Sequence, residues 1–137
     1  GVAGTGQHLT LPDLPGVCYP RDLLQVSQLI DMWSLVGAPL HVFLTIPSGS
    51  EADSAAHGEA HPVTAAAPSG WSPQTQQQWV ERYVPLLIAK PMVQAVVWNQ
   101  LRDAEPHAFP HSGLLDAHDR VKPAMQSLAN IRKRFLK

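Results

Sequence analysis

Two periods alternate along this chain, and the switches between them mark its elements. From residue 21 to residue 37, Leu23, Val26, Ile30 and Trp33 recur at three- and four-residue intervals, with Gln25, Ser27, Gln28 and Asp31 between them. That spacing is helical and gathers the apolar positions into one stripe. Gly37 supplies the stop. Leu40-His-Val-Phe-Leu-Thr-Ile46 follows, rich in β-branched and aromatic types and bounded by Pro39 and Pro47. A near-continuous apolar run of this kind predicts a strand buried on both faces, as in a parallel sheet.

Residues 47–71 break the pattern with Ser, Gly, Ala, Pro and His. A gap of that length in a compact domain predicts a functional loop or a disordered one. Ser72-Pro73 is a helix-start signal, and Trp79, Tyr83 and Leu87 then line one face of a helix over 72–90. Pro85 lies inside it and predicts a kink. Val93 to Trp98 reads as a second strand. Lys122-Pro123 opens a last helix over 122–136, with Ala124, Leu128, Ile131 and Phe135 as its buried stripe. Residues 1–20 are rich in Gly and Pro and read as loop with at most a strand stub.

Each of the two strands is followed by a helix, so they are expected to be adjacent and parallel with right-handed crossovers. Two strands this apolar need cover on both faces and cannot stand as a sheet alone. The pattern therefore predicts a piece of a larger α/β architecture.

Composition narrows the function classes. The chain has 137 residues, 45% of them hydrophobic and 15% charged, with a net charge of −1. That suits one domain with a modest core. It gives no electrostatic case for nucleic acid or an anionic membrane, and no apolar run approaches the roughly 20 residues of a membrane span. Arg132-Lys133-Arg134 falls in the last turn of a predicted helix, where positive charge complements the dipole. Cys18 is the single cysteine, so no internal disulfide forms, and it reads as inert. The chain begins at Gly1 without an initiator Met, and localisation stays open.

The richest segment is Ala95-Val-Val-Trp98, which runs into Asn-Gln-Leu-Arg-Asp103 and is followed by Gly113-Leu-Leu-Asp116 and Lys122-Pro-Ala124. An apolar strand that ends in an aromatic, two amides and an acid delivers polar groups to the carboxyl end of a sheet, where α/β proteins bind ligands. With Arg21-Asp-Leu-Leu-Gln-Val-Ser-Gln-Leu-Ile-Asp31 and Gly37-Ala-Pro-Leu-His-Val42, this order resembles the C-terminal part of glycoside hydrolase family 10, the xylanase-like (β/α)8 TIM barrels. The resemblance covers residues ~20–137 and implies the last two to three βα units of a barrel of ~250 residues. It implies an oligosaccharide or polysaccharide partner of the β-1,4-xylan class, with the remainder of the barrel N-terminal to this chain. It implies no cofactor.

One departure is central. The family ends its seventh strand in Thr-Glu, with that Glu as the nucleophile of a retaining mechanism. Here Leu44 or Phe43 falls at that position, depending on the proline used for alignment, and the next carboxylate is Glu51. No catalytic residue is assigned.

The resemblance makes Trp98 a sugar-site aromatic, expected to face the barrel axis; its other reading is a core Trp. Strand alternation would put Gln100 on the same side as Trp98, with Asn99 opposite. Asp103 matches the acid after the strand; its other reading is an ion pair with Arg102 or a loop cap. Trp71 is a sugar platform or a hinge anchor. His107 and His111, with Glu105 and Asp103, have no recognised metal-ligand spacing, and His57-Gly-Glu-Ala-His61 is not the zinc-protease order, so no metal site is expected. Two alternatives stay open: a catalytically inactive carbohydrate-binding relative, and a small autonomous α/β interaction domain. The latter requires residues 1–20 to supply a strand.

Overall fold

The computed structural model describes residues 7–11, 22–51, 53–56, 70–107 and 110–136. Cys18 and the His57–His61 segment lie outside the described residues. The elements are β1 (Gln7–Leu11), α1 (Leu23–Ser34), β2 (Leu40–Leu44), α2 (Pro73–Ala89), β3 (Val93–Trp98) and α3 (Pro123–Phe135). The strands form a sheet in the order β1-β2-β3, with both pairs parallel. The expected parallel pairing of Leu40 and Val93 segments is present.

Two expectations change. Gln7–Leu11 is a full strand in register with Leu40–Leu44 rather than loop. A five-residue segment with little periodicity becomes a strand through its ladder to β2, a non-local partner that composition does not announce. And β2 stops at Leu44, not Ile46, although Thr45, Ile46 and Pro47 stay buried beyond it.

The helices form where local chemistry puts them. Asp22 caps α1 in a reciprocal box: its carboxylate accepts from Gln25 N at 2.8 Å, and Gln25 Oε1 accepts from Asp22 N at 3.0 Å. Ser72 and Thr75 do the same for α2, with Pro73 in the first turn. Helix α2 is assigned without a break through Pro85. Asp22→Ala is expected to cost about 1 kcal/mol, read as a shift of the urea midpoint at unchanged slope.

Leu40, Val42 and Leu44 of β2 are fully buried and join Val26, Leu29 and Ile30 of α1, Val80, Val84 and Leu87 of α2, and Ala124 of α3 in one apolar cluster. All three helices thus cover the face of the sheet that carries these alternate residues. His41 and Phe43, between them, are only half-buried, so the strand read from sequence as covered on both faces has one well-covered face. A register shift at Leu40/His41 accommodates Gln94 in β3, whose Oε1 lies 2.8 Å from His41 Nε2. Among the described residues, no helix is long and apolar enough to cross a membrane.

Candidate functional site at the carboxyl ends of the strands

The segments after β2 and β3 meet at the carboxyl edge of the sheet, and two polar networks organise them. The first is centred on Asp103, which is 8% exposed. Its Oδ2 accepts from Lys122 Nζ at 2.6 Å, and its Oδ1 accepts from Gly113 N at 2.8 Å and from Gln100 Nε2 at 3.3 Å. Lys122 Nζ also donates to His111 O at 3.1 Å. A Cβ on Gly113 would stand 2.6 Å from Asp103 Oδ1, so the close approach demands glycine. Asp103 therefore joins the Gly113 and Lys122 motifs. It does not pair with Arg102, which bonds Asp119 at 2.6 Å and Glu105 at 2.8 Å instead.

Trp98 does not take the expected orientation. Its Cα pairs with Leu44, and by strand alternation it shares that residue's helix-covered face. It packs against both apolar clusters, and its Nε1 donates to Ser112 O at 2.7 Å. The register between β2 and β3, not the polarity change along β3, decides which way the ring points. Gln100, beyond the end of β3, is engaged, with Oε1 accepting from Ser112 Oγ at 3.2 Å. Trp71 is 8% exposed, packs on Ile46 and donates its backbone N–H to Ser50 Oγ at 3.0 Å. The structure gathers Trp98, Gln100 and Asp103 around Ser112-Gly113, and places Trp71 in the apolar cluster that Trp98 also packs against.

The second network escaped the sequence reading. Asp53 Oδ2 lies 2.6 Å from His107 Nε2 and accepts from His111 N at 3.0 Å, while Oδ1 accepts from Ala55 N at 3.0 Å. His107 Nδ1 is 2.6 Å from Glu105 O. Both His107 nitrogens are thus committed, and among the described residues no cluster of three His, Cys, Asp or Glu is arranged to hold a metal. Burial pushes the Asp53 carboxyl up, but the His111 and Ala55 N–H groups and His107 outweigh it and hold it below its usual value of 3.8. Its stabilising contribution is therefore present above about pH 3.8 and is lost as pH falls through the lowered value. His111 adopts a left-handed backbone (φ 54°), and its carbonyl accepts from Ser48 N, Ser48 Oγ and Lys122 Nζ. Three donors on one carbonyl hold a conformation that a His seldom takes.

Between the networks opens a cavity of about 350 Å³, lined in part by Ser48, Asp53, Asp103, His111, Arg120 and Lys122. Its wall carries paired charges: Asp103 with Lys122, and Asp116 with Arg120 at 2.9 Å. Asp116 accepts N–H bonds from Arg120 and His118 and bonds the Arg120 guanidinium, which together keep it ionised below the usual range against a smaller opposing effect of burial.

No family model and no curated protein matches the chain. Among solved structures it is similar to Bifidobacterium dentium β-glucuronidase complexed with coumarin-3-O-glucuronide, with a TM-score of 0.55 at 15% identity. The match covers 82% of this chain and 17% of that one, so the chain spans less than a fifth of the structure it matches. The likeness is one of fold.

Proposed function

We propose that the chain is the C-terminal part of a glycoside hydrolase-type (β/α)8 barrel, about its last two to three βα units, whose strand ends contribute to an oligosaccharide site. One observation carries this reading. Three parallel strands lie side by side in chain order, and all three helices cover the same face. Doubly wound sheets reverse strand order and put helices on both faces, whereas singly wound barrels progress in this way. The fold likeness to a β-glucuronidase agrees with it. The xylanase-like substrate class rests on the resemblance of residues ~20–137.

In this reading Trp98, Gln100, Asp103 and Trp71 shape the rim from behind, while Ser48 and His111 reach the cavity. Among the described residues, neither the end of β2 nor the carboxylates of Asp53 and Asp103 offer a nucleophile. Leu44 ends β2 fully buried, and Asp53 and Asp103 are each held by a basic side chain. Glycoside hydrolysis needs two carboxyl groups about 5 to 9.5 Å apart and available to the sugar. Such a pair would need the rest of the barrel.

The test is calorimetric titration with xylo-oligosaccharides and with an aryl glucuronide, alongside a reducing-sugar assay on xylan. Weak binding of one sugar class without turnover is expected. No binding of either sugar overturns the carbohydrate reading, and turnover abolished by a single carboxylate change in this chain overturns the inactive assignment.

A second reading, a small autonomous α/β interaction domain, gains from one observation: Gln7–Leu11 does supply a third strand. A soluble monomer with a sharp cooperative melt and no sugar affinity would favour it.

A further inference from the structure

We propose that His107 is held as an imidazolium and forms a proton-dependent latch between the segments that follow β2 and β3. The inference follows from what its two nitrogens face. Nε2 stands 2.6 Å from Asp53 Oδ2, and Nδ1 stands 2.6 Å from Glu105 O. A backbone carbonyl only accepts, and so does an ionised carboxylate. A neutral imidazole donates from one nitrogen alone, so it satisfies both contacts only if Asp53 carries the proton instead. Asp53 is built to be ionised: its two oxygens also accept backbone N–H bonds from Ala55 and His111, which favour the charged form. The proton therefore resides on the ring.

Burial and position make that proton matter. The side chains of His107 and Asp53 are 4% and 10% exposed, so little water can replace the bond. The two residues are 54 positions apart in the chain. Beside the ring contact, His107 N donates to Ala55 O at 3.1 Å, and Ala56 and His107 form a parallel bridge. The pair thus clips residues 53–56 onto the segment after β3, next to the polar cavity that Asp53 lines. Losing the proton would turn a ring lone pair toward an acceptor oxygen and replace attraction with repulsion.

The charged and titratable groups around the latch come from both segments. Asp53 and Glu51 lie on the first, while Glu105 and His111 lie on the second. Glu105 pairs with Arg102 at 2.8 Å. His111 places Nδ1 3.9 Å from Asp53 Oδ2 and Nε2 2.8 Å from Glu51 O, so it adds to the same cluster without sharing the short contact. The latch is expected to hold while the ring carries its proton and to loosen once that proton is lost, whatever ligand the cavity takes.

Two-bond ¹H–¹⁵N correlation of the histidine rings in the 137-residue protein tests the charge state directly. At about pH 6, both His107 nitrogens are expected at imidazolium shifts, with hydrogen exchange at Ala55 and Ala56 accelerating beyond its intrinsic pH dependence once the ring deprotonates. A neutral tautomer with one bare nitrogen at that pH overturns the proposal. Thermal midpoints of the wild type and of His107→Gln, followed between about pH 5 and 8, give an independent reading. Most of the wild-type alkaline loss should vanish in the variant, and equal losses in the two proteins overturn the latch. The ring-shift measurement needs no variant and decides the question if His107→Gln does not fold.

Discussion

Replacing Lys122 by alanine is expected to destabilise the chain by about 3–5 kcal/mol, the cost of stranding a buried charge. The Lys122 and Asp103 side chains are 5% and 8% exposed, and the ammonium sits 2.6 Å from the carboxylate. Removing the lysine leaves Asp103 ionised in a place water barely reaches, with only the Gly113 N–H and the Gln100 amide to compensate it. It also takes one of three donors from the strained His111 carbonyl. Urea unfolding measures the loss. The double change Asp103→Asn with Lys122→Met should recover part of it, because no unpaired charge then remains. A single-variant loss below about 1 kcal/mol would mean that the pair behaves as an exposed one in solution.

Trp98→Ala is expected to cost about 3 kcal/mol in stability, the low end for a large aromatic removed from a core, because the ring is partly buried. The ring links the main apolar cluster to the smaller one around Ile46 and Trp71, and its N–H holds the Ser112 carbonyl. Trp98→Phe keeps most of the packing and loses the hydrogen bond, so it should cost about 1 kcal/mol plus a repacking penalty. Thermal melts and oligosaccharide titration of both variants separate the roles. A fold that survives Trp98→Ala while sugar affinity disappears would make the ring a platform and contradict its placement on the helix-covered face.

The comparison between what the sequence predicts and what the structure shows turns on the range of each interaction. The helices α1, α2 and α3 were legible because their signals are local. Apolar spacing, the Asp22 and Ser72 caps and the prolines at 73 and 123 all act within about one turn. Strand β3 was equally legible, as an apolar run between Lys90-Pro91 and Asn99. Asp103, Gly113 and Lys122 stood out as motif residues, but the chain gave no sign that one carboxylate bonds the other two. His107 stands in the sequence near Asp103, Glu105 and His111 without a metal-ligand spacing, and its partner Asp53 lies 54 residues away with no spacing signal to announce it.

The amino-acid order alone determined where helices begin and that the strands are parallel and joined by helical crossovers; the apolar stripe it predicts for α3 holds at Ala124 but not at Phe135, which lies in the helix's last turn and is 50% exposed. Only the tertiary structure decided that Gln7–Leu11 is a strand, that Trp98 faces the helices, and which acid pairs with which base. The physical reason is register. A strand's partner and its buried face are set by hydrogen bonds to segments about 30 or more residues distant, and a shift of one residue in that pairing would turn Trp98 to the other side of the sheet.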